Sequence, residues 1–130
     1  MKSMKKWKKI TGGIALVVLI LGLALLFFVT RGLDEGKALV ISEVDFQSLE
    51  DAIYWGDYEA GRWTNSVKVE VLDGEIRSIH LIEGFDMKKV KEEIYEKVIA
   101  NQSLDVEGVS GATVSSKAYL KAIENALTGE

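Results

Sequence analysis

Residues 110–116 read Ser-Gly-Ala-Thr-Val-Ser-Ser. They precede an amphipathic pattern that predicts a helix from about Ser116 to Leu127, with Leu120, Ile123 and Leu127 on one stripe. A helix start offers backbone N–H groups and the positive end of the helix dipole, so it suits a phosphate group. Small residues there let a ligand approach the backbone closely, as glycines do in phosphate loops. No Gly-Lys-Ser follows, so the run is not a Walker loop. A purely structural reading makes Ser115 or Ser116 the N-cap and lets Gly111 form a tight turn. It explains one serine and one glycine and leaves the rest of the run unaccounted for. The candidate binding residues are therefore Ser110, Gly111, Ala112, Thr113, Val114, Ser115 and Ser116.

Little else in the chain resembles chemistry. There is no cysteine, which excludes disulfides, thiolate metal sites, iron–sulfur clusters and a lipobox. His80 is the only histidine and has no visible partner, so no catalytic role is assigned to it. No cluster of His, Asp and Glu at ligand spacing points to a metal. Tyr54, Trp55, Tyr58 and Trp63 fall close together, and aromatic residues are more often core than ligand contacts.

These residues must be placed by a small domain on an anchor. The twenty residues Ile10 to Val29 carry no charge. As a helix they would span about 30 Å, the hydrocarbon thickness of a bilayer. Lys2, Lys5, Lys6, Lys8 and Lys9 precede them, with no acid. The positive-inside rule then keeps the leader in the cytoplasm and sends the C-terminal domain out, with Trp7 at the membrane interface. The run is long for a signal-peptide core and ends Phe27-Phe28-Val29-Thr30-Arg31 rather than in small residues, so an uncleaved anchor is expected. The expected organisation is a basic cytoplasmic leader at 1–9, a transmembrane anchor at 10–30, a linker at 31–42 and one domain at 43–130. All twenty acids follow Thr30, against eleven Lys and Arg, a net charge near −9 for that part. Such a surface does not bind nucleic acid and is repelled by anionic headgroups. It suits either a basic partner or simple solvation.

Within the domain, Ile53–Tyr58 reads as a strand ending near Gly61. Val67–Leu72 and Glu75–Ile82 alternate around Asp73-Gly74, a type I′ hairpin turn. A two-residue loop pairs Val71 with Ile76, Glu70 with Arg77 and Val69 with Ser78, and puts Val67, Val69, Val71 and Ile76 on one face. Gly84-Phe85-Asp86 ends the hairpin, Asp86 is the expected N-cap, and Met87, Val90, Ile94 and Val98 form the stripe of a helix ending near Ala100. Asn101 to Gly108 reads as a polar loop; Gly32 to Lys37 reads as a linker, and Ala38–Phe46 carries no assignment. Strands followed by helices, with an antiparallel hairpin, make an α+β fold: a single N-terminal transmembrane helix, then an antiparallel sheet packed against two or more helices.

The Ser110-Gly111-Ala112-Thr113 run, with Ser115-Ser116 and then Ala118, Ala122 and Ala126, resembles the attachment motif of the FMN-binding domain family. That family includes the C subunit of the sodium-translocating NADH:quinone reductase and the G subunit of the Rnf complex. Asp51, Tyr54 and Gly56 match the family's opening Asp-Gly-x-Tyr-x-Gly, with Ala52 in place of the first glycine. Val69–Ile76 matches its hairpin, and Asp105, five residues before Ser110, stands for its acid. The resemblance covers about residues 43 to 128. It implies FMN held covalently by a phosphoester to Thr113, with Ser115 and Ser116 as rival acceptors. A threonine hydroxyl is a poor nucleophile without a base, and the motif has neither His nor Lys before Lys117. A flavin transferase using FAD and Mg²⁺ is therefore the implied partner. The implied role is an extracytoplasmic, membrane-anchored electron carrier working with membrane electron-transfer proteins. Two alternatives stay open: a flavin-free binding or scaffold module of a membrane complex, and an oxidoreductase with noncovalent FMN.

Overall fold

The computed structural model describes residues 2–30 and 39–129. The linker expected at Gly32–Lys37 and the side chain of Trp7 lie outside what it describes. The chain divides into two units, residues 1–31 and 32–130.

The first unit is one helix, α1 (Lys2–Thr30). Its stretch Lys8–Phe28 is long and apolar enough to cross a membrane.

The second unit holds a three-stranded antiparallel sheet in the order β1 (Ala52–Tyr58), β2 (Asn65–Leu72), β3 (Glu75–Gly84). Two helices follow, α2 (Lys88–Asn101) and α3 (Thr113–Thr128). This is the expected α+β arrangement. Asp73 and Gly74 both take positive φ, 53° and 72°, as a type I′ turn requires.

The register departs from the simple hairpin. Val71 faces Ile76 as expected, but Glu70 faces Ser78 and Val69 faces Ile79, because a bulge leaves Arg77 without a direct partner. The uninterrupted register would have turned Ser78 into the core and Ile79 out to solvent. One extra residue reverses both, since a one-residue slip exchanges the faces of a strand. Burial of the isoleucine outweighs a cross-strand ion pair of about 0.2–1 kcal/mol. The expected Glu70–Arg77 pair is therefore absent: Ser78 Oγ donates to Glu70 at 3.4 Å, and Arg77 meets Glu75.

In α2, Val90, Ile94 and Val98 are buried as the stripe predicts and Tyr95 joins them, whereas Met87, the first member of the expected stripe, precedes the helix and is exposed. Asp86 does not cap this helix. Met87 occupies the cap position without a side-chain bond, and Asp86 instead pairs with Lys91 at 2.8 Å. The helix ends with Gln102 in the left-handed region. The Gln102 amide then satisfies the open edge of β3, accepting from Ile76 N–H at 2.8 Å and donating to Ile76 O at 3.0 Å. The following loop is not wholly polar, since Leu104 is buried in the core.

Helix α3 is buried on most of its circumference. Ala118, Ala122 and Ala126 keep that surface low, so the sheet can come close. The closest approach is at Gly56 of β1, where an added Cβ would fall 2.2 Å from the Ala126 nitrogen. Asn65, fully buried, donates to Trp63 O and Ala118 O, both at 3.1 Å, and so ties the start of β2 to α3. Before β1, Leu39, Ile41 and Val44 pack against the core. Ser42 N–H donates to the buried Glu124 at 2.6 Å.

Candidate functional site

The small-residue run forms a turn and the first turn of α3. Ala112 N–H donates to Val109 O at 2.9 Å, with Gly111 at φ 80° in the third position. That positive φ is what a type II turn demands, and glycine meets it without steric cost. Ala112 is the N-cap, and Thr113 is the first residue of the helix.

Neither serine caps the helix, contrary to expectation, because α3 begins before them and both point inward. Ser116 Oγ donates to Ala112 O at 2.7 Å and accepts from Val109 N–H at 2.9 Å, stapling the turn to the helix. Ser115 Oγ donates to Met87 Sδ at 3.2 Å. Met87 N–H in turn donates to Tyr119 Oη at 2.9 Å, and that hydroxyl donates to Phe85 O at 2.8 Å. The segment after β3 is thereby tied to α3, with the Phe85 and Tyr119 rings stacked at 4.4 Å. Burial, partly offset by the Met87 N–H, raises the Tyr119 hydroxyl above its ordinary pKa, so it stays protonated and donating.

With no side chain at the cap, the N–H groups of Thr113, Val114 and Ser115 have no hydrogen-bond partner among the described residues. Ser110, Gly111 and Thr113 are exposed there, and Ala112 and Val114 are half-buried. Residues 111–115 line a cleft of about 360 Å³ together with Arg62 and Trp63. A second cleft of about 210 Å³ also touches Thr113. It has apolar walls from Leu39, Ile41, Val106 and Leu120, with Asp105 and Lys117 at its edge. The motif thus has space on two sides of one threonine.

The other sequence candidates divide. Of the four aromatics, Trp63 alone shares the cleft with the motif, and at 4% exposure it is mainly core. Tyr58 is core, and Tyr54 is half-buried with its hydroxyl on Glu50 O. Trp55 is 62% exposed, with the Lys68 ammonium 5.8 Å from its ring. His80 lies across from Lys68, is exposed, and lines neither of the motif's clefts. Among the described residues no group of His, Cys, Asp and Glu could hold a metal ion.

Arg62 was not legible as a site residue. Nothing in the spacing links it to a motif some fifty residues on; only the packing of α3 beside the turn at Gly61–Trp63 brings them into one cleft.

Compared with known families, residues 29–128 match the FMN-binding domain. The chain belongs to the FMN-binding domain family. No curated protein matches it. Membership makes this a flavin-binding protein with FMN as its cofactor. The residues present fit that group. An FMN-binding domain must accommodate a phosphate and a flat, largely apolar ring system. Here are three unpartnered N–H groups at the start of a sixteen-residue helix, an exposed threonine hydroxyl, a guanidinium and apolar walls, gathered around one threonine.

Proposed function

We propose that this protein is a membrane-anchored electron carrier whose FMN is joined by a phosphoester to Thr113. The observation that carries the reading is the position of Thr113. It is exposed, it opens α3 beside unpartnered N–H groups, and it borders both clefts of a chain in the FMN-binding domain family. Bound FMN would supply one- and two-electron transfer, chemistry that no side chain here offers. The N–H groups of Thr113, Val114 and Ser115 hold the phosphate, favoured by the positive end of the helix dipole. Gly111 and Ala112 leave room for close approach. Ser116 and Ser115 keep the turn and the first helical turn rigid through their inward bonds.

Attachment forms the bond from Thr113 Oγ to phosphorus and breaks the pyrophosphate bond of FAD. AMP leaves, and the threonine proton is lost. The motif itself holds neither His nor Lys before Lys117, and a threonine hydroxyl is a poor nucleophile without a base, which supports a separate flavin transferase as the catalyst. Helix α1 would hold the domain at the membrane, and the lysines before it favour a cytoplasmic N-terminus with the acidic domain outside. A tether prevents loss of a small cofactor by diffusion.

Intact mass of the full chain, purified from membranes of a host with an extracytoplasmic flavin transferase, tests this. The expected result is a gain of one FMN, absent in Thr113→Ala. An unmodified wild-type mass in that host would sink the covalent reading. A gain that persists in Thr113→Ala would move the tether to Ser115 or Ser116.

A further inference from the structure

Arg62 has an unusual setting for a cation in this chain. After Thr30 there are twenty acids and eleven Lys and Arg, yet Arg62 forms no ion pair among the described residues. Asp57, Glu59 and Glu83 line a neighbouring cleft of about 450 Å³ with it, and none pairs with it. Its guanidinium instead lies over the Trp63 ring, 4.6 Å from the centroid. Trp63 is buried, so that ring is a fixed shelf. Arg62 also borders the motif's cleft, where it is the only basic residue of the lining among the described residues.

We propose that Arg62 is a phosphate-positioning residue of the flavin cleft, reaching across it toward the phosphate held at the start of α3. This rests on the FMN reading above. A phosphate entering a domain of net charge near −9 meets long-range repulsion that three N–H dipoles offset only locally. A guanidinium is charged at every working pH and presents a planar fork that matches phosphate oxygens. Stacking on a buried indole narrows its rotamers before the ligand arrives, so less side-chain entropy is lost on binding. The absence of a carboxylate partner leaves its donors available.

The test separates phosphate from ring. The full chain in detergent carries Thr113→Ala, so no attachment occurs, and is titrated with FMN and with riboflavin, following flavin fluorescence. FMN should bind more tightly than riboflavin. Adding Arg62→Ala should weaken FMN by about tenfold, the scale of one charge-assisted hydrogen bond, and change riboflavin by less than about twofold on the same reasoning. Arg62→Lys should recover part of the loss, because charge remains while the fork is gone. Hydrogen exchange at the core amides of Val67, Val69 and Val71 confirms that each variant is folded, because removing Arg62 from the Trp63 ring alters the emission of that indole directly. Equal losses for both ligands would overturn the proposal, making Arg62 a wall for the ring. So would no loss, or no uptake of either ligand. The covalent reading is scored separately by the mass of the wild type. An unmodified wild type with Arg62-dependent preference for FMN would refute the tether and leave Arg62 standing.

Discussion

Gly56→Ala should be among the most damaging small substitutions in this domain. Gly56 lies mid-strand in β1, its φ is ordinary, and backbone freedom is not the reason for glycine. The reason is space. The new Cβ would sit 2.2 Å from Ala126 N and 2.4 Å from Ala126 Cα, both backbone atoms that no rotamer change can move. Restoring a 3.4 Å contact requires β1 and α3 to separate by ~1.2 Å. That shift also stretches the 2.8 Å bond from Asn125 Nδ2 to Asp57 O and loosens the alanine face of α3. Overpacking costs about 1–3 kcal/mol when side chains can yield, so a backbone clash belongs at the upper end, ~3 kcal/mol. For a domain of this size that lowers the melting midpoint by roughly 15 °C. The assay is thermal unfolding of the full chain in detergent, followed by tryptophan emission in a Trp7→Phe, Trp55→Phe background so that Trp63 reports alone, because helical ellipticity from α1 would mask the domain. Gly111→Ala is the contrast. Nothing lies within 4 Å of its added Cβ, and only the φ of 80° opposes it, a cost of about 1–2 kcal/mol. A Gly56→Ala midpoint within about 3 °C of wild type, or a larger drop for Gly111→Ala, would refute the steric argument.

Three further outcomes are expected. Burial raises the Glu124 pKa, but its bonds to Lys121 and Ser42 N–H outweigh this and hold it below the usual glutamate value. Its stabilisation is therefore complete above the unfolded-state pKa and lost as pH falls through the folded one. Glu124→Gln should flatten the acid limb of a midpoint-against-pH curve, and an unchanged slope would count against the pairing. Ser116→Ala leaves Val109 N–H unpaired in a part-buried site, at a cost of about 1–3 kcal/mol. It should also slow flavin attachment at Thr113, read by intact mass against time; normal attachment would show that the staple does not organise the turn. Gln102→Ala removes both bonds to Ile76, and hydrogen exchange at the Ile76 amide should accelerate by at least about tenfold. Retained protection there would mean the β3 edge is covered by something else.

Much of the fold was legible because local rules sufficed. Asp73-Gly74 specifies its turn through the positive φ of both residues, and the valines of β2 specify their inward face by period two. The Val90, Ile94 and Val98 stripe did the same for α2. The errors came where another partner or core burial outbid the preference that residue type alone suggests. Asp86 is a good cap by type but lies within reach of Lys91. Ser115 and Ser116 are good caps by type, yet Met87 and the Val109 turn claim their hydroxyls, so α3 starts at Thr113. The Glu70–Arg77 pairing failed because Ile79 had to face the core that the helices build.

The candidate site divides along the same line. The sequence by itself determined the motif, its family resemblance, the apolar N-terminal helix and the split of charge along the chain, since each depends on residue type and short spacing. Only the tertiary structure decided which hydroxyl of the motif faces out. Thr113 does, while Ser115 is drawn inward to Met87, far back along the chain, and Ser116 to the Val109 N–H and Ala112 carbonyl of the adjoining turn. It also decided that Arg62 and Trp63 share the motif's cleft. Helical period and turn type are written in neighbouring residues, whereas a cleft is the gap left when separate elements pack, and its walls are chosen by burial of the far sides of those elements.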